Sequence, residues 1–330
     1  MSKIVVFRET GDAQVLKLED VREAEPKNGE VRILVHALGL NRAEVLLRQG
    51  RYLEKPKFPS RIGYEASGVI DALGPGVDGF EVGEKVSTVP CFSQTRYGVY
   101  GEWAIVPARA LARYPASLSD TEAASIWMQY LTAFGALVEL GKLGAGQHVL
   151  ITAASSSVGY AAIQIAKREG AIAIATTRGE SKRASLLAAG ADHVIVMDQD
   201  DLAAEVSLIT RGKGVELIFD AVAGALLNTL AKAAAYEAQV FIYGALSLES
   251  TVFPLQMALK KGLKVSGYTM FQITEDEDRF ARGKDYVYRG LADGSLKPVI
   301  DRTFHLNAIA DAHRYMESNE QKGKIVVTVP

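Results

Sequence analysis

The chain has 330 residues, 48% hydrophobic and 23% charged, with a formal net charge of −2. That length is enough for two domains with cores of their own, and the composition is globular rather than disordered, fibrous or membrane-spanning. The near-neutral charge, with no basic stripe, argues against nucleic acid or a membrane surface as a partner. A lone cysteine, Cys91, excludes an internal disulfide and a cysteine-built metal cluster.

The opening stretch MSKIVVFRET lacks the apolar core and cleavage site of a signal peptide and reads as a first strand. No apolar run approaches membrane-spanning length, so the expected setting is the cytoplasm. Residues 1–120 are expected to be mostly β, with strands at Lys3–Phe7, Glu30–Leu40, Ala66–Leu73 and Lys85–Pro90. Turns rich in Gly, Pro and Asp separate them (EPKNGE, LGPGVDGFEVGEK, RYGVYGE), which suggests a compact, partly barrel-like domain.

The pattern changes near Leu118. A capping signal at Ser119 or Thr121, with acids in the first turn, opens a helix. Strands then alternate with helices: His148–Ala153, Ala171–Thr177, His193–Val196, Gly214–Ala221, Gln239–Tyr243 and Lys264–Thr269. Repeated βα units predict an α/β domain with a doubly wound parallel sheet over residues 121–289. The acidic run TEDEDRFARGKD reads as a solvated helix start. After about residue 290 the chain returns to short pieces: Thr303–Leu306, a helix Ile309–Glu317 and a strand Lys324–Val329 able to rejoin the N-terminal domain.

The segment His148–Arg183 carries the chemistry. An apolar strand leads into a turn of Ala154, Ser155, Ser156 and Ser157; a helix from Val158 to Glu169 follows, with Gly170 as its C-cap and a second strand ending at Thr177. This is the order of a dinucleotide site, whose usual fingerprint is G-x-G-x-x-G. Here its three positions hold Ala154, Ser156 and Gly159. Only the last is glycine, where helix and strand pack closely. Ala and Ser still let a backbone approach a pyrophosphate, and the serines add hydroxyl donors at a helix N-terminus that favours anions. An NAD site commonly has Asp or Glu about 20 residues on, for the ribose 2′-hydroxyl. That place falls at Arg178, with Lys182 four residues later. Cations in place of a carboxylate suit the 2′-phosphate of NADP, which predicts NADPH as the cofactor.

These features together resemble the medium-chain dehydrogenase/reductase superfamily along essentially the whole chain. GLNRAEVLLRQGRY, IGYEASGVIDALGPGV, FEVGEKV, AASSSVGYAAIQIAK and QKGKIVV match its landmarks in order, and the chain looks most like the zinc-free quinone oxidoreductase and enone reductase branch. The branch's A-x-x-G-x-V-G turn is Ala153 to Gly159 here, with Ser156 for the middle glycine. The resemblance implies a GroES-like β domain beside a Rossmann domain. The positions matching the zinc ligands of the alcohol dehydrogenases are Asn41, Tyr64 and Met128, none a good ligand; Glu65 alone makes no site, and Ala43 replaces the hydroxyl relay. No metal is therefore expected.

By the same resemblance, Tyr52, Asn41 and Tyr64 are the candidate donors to a developing oxyanion, with Met128 and Gln129 in the substrate pocket. Val158, Thr132, Thr177, Gly244, Ala245 and Lys324 join Ala154, Ser155, Ser156, Ser157, Gly159, Arg178 and Lys182 around the cofactor; an ordinary surface lysine is the other reading of Lys324. The segment following Gln239–Tyr243 implies a homodimer. No His pair has metal spacing, no Ser/His/Asp arrangement stands out and G-x-S-x-G is absent. The expected activity is NADPH-dependent reduction of quinones or α,β-unsaturated carbonyls. Zinc-free alcohol or aldehyde dehydrogenation, enoyl-thioester reduction, and NADPH binding without turnover are the alternatives.

Overall fold

The computed structural model describes residues 1–330, with fifteen strands. In chain order they are β1 (Ser2–Val6), β2 (Lys17–Val21), β3 (Glu30–Leu40), β4 (Glu65–Leu73), β5 (Lys85–Thr88), β6 (Trp103–Pro107), β7 (Leu111–Arg113), β8 (His148–Ile151), β9 (Ile172–Thr177), β10 (His193–Val196), β11 (Val215–Asp220), β12 (Ala234–Ile242), β13 (Lys264–Gly267), β14 (Ile300–His305) and β15 (Lys324–Thr328). They fall into two compact units, Met1–Met128 with Pro298–Pro330, and Gln129–Lys297.

The first unit is the β domain. Its main sheet runs β14-β15-β3-β4-β5-β7, with β6 also pairing β3 and a separate β1–β2 ribbon. The C-terminal strand β15 lies antiparallel to β3, with Ile325 opposite Leu40 and Thr328 opposite Ala37. Helix Arg42–Arg48 follows β3 directly. This unit keeps the chain as far as Met128, beyond the expected change near residue 120. Ser119 caps helix Asp120–Ala123 in a capping box with Glu122. Ala124 then packs with Ala37 and Val326, and the Trp127 indole donates to Ser87 Oγ at 2.8 Å.

The second unit is built on six parallel strands in the order β10-β9-β8-β11-β12-β13. This is the doubly wound order, whose ligand crevice opens at the carboxyl ends of the strands where the order reverses, here β8 and β11. Leu150, Ile174, Ile195, Ile218 and Val240 form the core with Val206 and Leu230 from the helices. The chain stays in this unit to Lys297, past the expected end at 289, because Gln164 accepts from Lys297 N and donates to Lys297 O. Strand β8 stops short of Ala153, whose φ of 46° turns the chain out of the sheet. No helix is long and apolar enough to cross a membrane.

Candidate active site

In the second unit the small-residue turn leaves β8 and enters helix Ser157–Arg168. Ser156 is its N-cap, accepting from Gly159 N at 3.1 Å. Gly159 is demanded by close approach, since a Cβ there would stand 2.3 Å from Ala154 O. Ala154 is buried and tied to β9 through Thr176 O, while Ser155, Ser157 and Val158 are half-buried around the turn. Lys182 reaches the turn, its Nζ donating to Ser155 Oγ at 3.1 Å. Arg178 follows the buried Thr177 and is exposed, with no carboxylate partner; nearby Arg183 is occupied by Glu180 and Val194 O. The helix N-terminus, a serine turn, Lys182 and a free guanidinium thus gather groups of the kind that attract an anion at this end of the sheet. At the exit of β12, Gly244 lies so near β11 that a Cβ would be 2.7 Å from Ala221 O, and Ala245 is exposed. Thr132 is buried on helix Trp127–Phe134.

The sequence pattern did not single out Asp220, the last residue of β11. Its Oδ1 accepts from Thr152 Oγ1 at 2.7 Å and its Oδ2 from Ala223 N at 2.9 Å, so it fixes the strand exit beside the turn. An acid closing the apolar run VELIF was the available signal.

In the β domain the residues matched to metal-ligand positions meet in a buried polar knot. Lys324 on β15 is fully buried; its ammonium donates to Asn41 Oδ1 at 2.7 Å and to the Glu65 carboxylate. The other Glu65 oxygen accepts from Trp127 N at 3.0 Å and Met128 N at 2.9 Å. Asn41 Nδ2 donates to Glu65 at 3.1 Å and to Gly39 O at 3.1 Å. Glu44 accepts from Asn41 N at 2.7 Å and Tyr64 N at 3.2 Å, and burial pushes its carboxyl up to about 7, against the pull of Lys324.

This geometry revises one expectation: Lys324 is not a surface lysine, because the antiparallel seat of β15 on β3 delivers it to Glu65. Asn41 spends both ends of its amide on neighbours inside the protein.

Tyr64 is buried, and its hydroxyl donates to that of Tyr52 at 3.4 Å. Tyr52 is only half-buried; burial raises its pKa to about 12, with the donor from Tyr64 acting the other way. Tyr52 is therefore the outer member of the pair, and both phenols stay protonated at neutral pH. Tyr64 also packs on Phe92, ring centroids 5.7 Å apart. Met128 is half-buried, and Gln129 is buried with its Oε1 unpartnered.

Known proteins share this architecture. A family model described as alcohol dehydrogenase GroES-like domain matches residues 27–116, and one described as zinc-binding dehydrogenase matches residues 157–282. The quinone oxidoreductase of Homo sapiens is 30% identical over 329 residues, 99% of this chain and 97% of its own length. A solved NAD-dependent alcohol dehydrogenase is 32% identical, with a TM-score of 0.89 over 99% of this chain and 100% of that one. The Escherichia coli quinone oxidoreductase complexed with NADPH is 25% identical, with a TM-score of 0.91 over 99% of both chains. The chain belongs to the medium-chain dehydrogenase/reductase superfamily, in its quinone oxidoreductase branch.

Proposed function

We propose that this chain is an NADPH-dependent reductase of quinones or α,β-unsaturated carbonyl compounds that works in the cytoplasm without a metal ion. The observation that carries the reading is the Glu65–Lys324 ion pair. A zinc ion needs about four donors such as thiolate, imidazole or carboxylate. The matched positions hold Asn41, Tyr64 and Met128, and the adjacent carboxylate, Glu65, is already neutralised by a buried ammonium and bonded to two backbone amides. These residues do not fit zinc.

When bound, the nicotinamide supplies hydride to an electron-poor carbon. The protein must then stabilise the negative charge on the acceptor oxygen with hydrogen-bond donors, each worth on the order of 10²–10³ in rate. Tyr52 is the donor we assign, with Tyr64 behind it. Conjugated acceptors spread the charge into an enolate or quinol and so ask less of a single phenol than a plain ketone does. At the other end of the cofactor, Lys182 with Ser155 and the free Arg178 supports NADPH. Thr132, Ser156, Ser157, Val158, Thr177, Gly244 and Ala245 are the remaining cofactor contacts we propose, and Met128 and Gln129 stay in the acceptor pocket.

The similarity to an NAD-dependent alcohol dehydrogenase favours a second reading, alcohol or aldehyde oxidoreduction. A screen of NADPH and NADH oxidation over quinones, enals, enones, enoyl thioesters and simple ketones separates the two. Turnover confined to ketones with NADH sinks the first reading. Binding of NADPH with no turnover on any acceptor reduces the chain to a binding protein.

We also infer a two-fold homodimer. Strand β13 closes the six-stranded sheet with one edge unpaired, and Leu246, Leu248, Val252, Phe253, Leu255 and Leu259 in the segment leading into it are exposed. An open edge beside an apolar surface suits a second copy of the same strand.

A further inference from the structure

We propose that Glu54 is a positioning residue for Tyr52, clamping the loop that carries this tyrosine onto the segment at residues 91–97, which ends in the short helix Gln94–Tyr97; the inference rests on the reading of Tyr52 as the donor. The chain from Tyr52 to Pro59 belongs to no strand or helix and makes no backbone–backbone hydrogen bond. Left to itself such a segment is mobile, and a donor mounted on it spends its time in many positions. Beyond the contact of Tyr52 itself with Tyr64, two attachments hold it. At one end the Phe58 ring meets Phe7 edge-on at 5.7 Å. At the other, a single carboxylate makes the attachment. Glu54 Oε2 accepts from Ser93 Oγ at 2.5 Å and from Thr95 Oγ1 at 3.4 Å, and Oε1 accepts from Gln94 N at 3.1 Å.

The receiving segment is itself fixed. Gln94 is buried and its Oε1 accepts from Gly63 N at 3.2 Å, next to Tyr64. Phe92, just before this helix, packs against Tyr64. Glu54 therefore closes a ring of contacts: Tyr52 to Tyr64, Tyr64 to Phe92, Phe92 through Ser93 to Glu54, and back along two residues of chain to Tyr52. Bonds from a charged acceptor to hydroxyl and amide donors are the strong kind. Glu54 also lies within electrostatic reach of the Tyr52 phenol, where its charge favours the protonated, donating form. Leu53 beside it is 75% exposed and adds no anchoring of its own.

The test is a double-mutant cycle on the full-length protein, read with NADPH and a quinone acceptor. Glu54→Ala should lower kcat/KM for the quinone at least tenfold, with most of the loss in kcat, and leave the NADPH Kd within about twofold. In a Tyr52→Phe background the same change should cost less than threefold, because the group it positions is gone. Glu54→Gln, which keeps an acceptor oxygen, should recover part of the loss; this variant keeps the test open if the alanine protein folds poorly. Equal losses from Glu54→Ala in both backgrounds, no loss at all, or a matching rise in the NADPH Kd overturns the assignment. The underlying reading fails separately and visibly, if Tyr52→Phe alone leaves turnover intact.

Discussion

Gly39 on β3 leaves room for the side chain of Lys324 on β15: a Cβ at position 39 would stand 2.8 Å from Lys324 Cε and 1.9 Å from Ala124 O. The missing side chain opens the path by which a long cationic stem crosses from one strand to the Asn41 amide and the Glu65 carboxylate behind its neighbour. Removing one member of a buried ion pair costs about 3–5 kcal/mol, because the other charge is left in a poor solvent. Lys324→Met is therefore expected to lower the unfolding free energy by about that much in a urea titration, and Gly39→Ala to lower it too, since its Cβ meets the Ala124 carbonyl as well as the Lys324 stem. Lys324→Met combined with Glu65→Gln should regain part of the loss. Unfolding midpoints that match the wild type in both single variants would mean that the knot is not holding these strands.

Arg178 is exposed and without a carboxylate, which leaves its guanidinium available to a phosphate. A charge-assisted bond of this kind contributes about 1.5–3 kcal/mol. Arg178→Ala should raise the NADPH Michaelis constant at least tenfold while moving the NADH value by less than twofold. Equal changes for the two cofactors would remove the 2′-phosphate from the role of this residue.

The parts of this molecule set by neighbouring residues are legible in the sequence. Strand β3 lies at Glu30–Leu40, as its apolar pattern required, and Gly159 sits where only a missing Cβ fits. The serine turn, the helix behind it and the parallel sheet follow from spacing alone. The Glu65–Lys324 pair is not legible there, since its members are 259 residues apart and meet only when β15 joins β3. Asn41 shows the consequence: nothing around it in the sequence tells that both ends of its amide meet Lys324 and Glu65. One local signal had more to give. The run Asn41-Arg42-Ala43-Glu44 is a capping box, and Glu44 closes it in the structure.

Two buried groups should give stability opposite dependences on pH. Glu44 is raised by burial from 4.5 to about 7, so the native state binds its proton more tightly than the unfolded chain. Stability from this group is present below about pH 4.5 and falls as pH rises to about 7, by about 3 kcal/mol. His313 is lowered by burial from 6.5 to about 3, so its contribution is present above pH 6.5 and is lost as pH falls toward 3, by about 5 kcal/mol. Relative to Glu44→Gln, the wild type should lose stability between pH 4.5 and 7; relative to His313→Phe, it should gain stability between pH 3 and 6.5. Chemical denaturation across this range reads both differences. A flat difference curve for either variant would contradict the corresponding assignment.

The open edge of β13 and the exposed apolar residues of the segment leading into it predict a dimer at micromolar concentration. Sedimentation velocity should give a single species of twice the 35.6 kDa chain mass. A species at the chain mass would show that this edge is left bare in solution.

Hydride transfer from NADPH to a conjugated acceptor, with a lysine–carboxylate pair standing where a metal would otherwise be held, is the central claim. Its sharpest check is NADPH oxidation by the purified protein with a quinone, an enone and the matching saturated ketone, in the presence of a chelator and with metal content measured on the same sample. The expected result is turnover of the quinone or enone unaffected by chelation, little turnover of the ketone, and no stoichiometric zinc. Stoichiometric zinc in a protein whose turnover the chelator abolishes would contradict the claim.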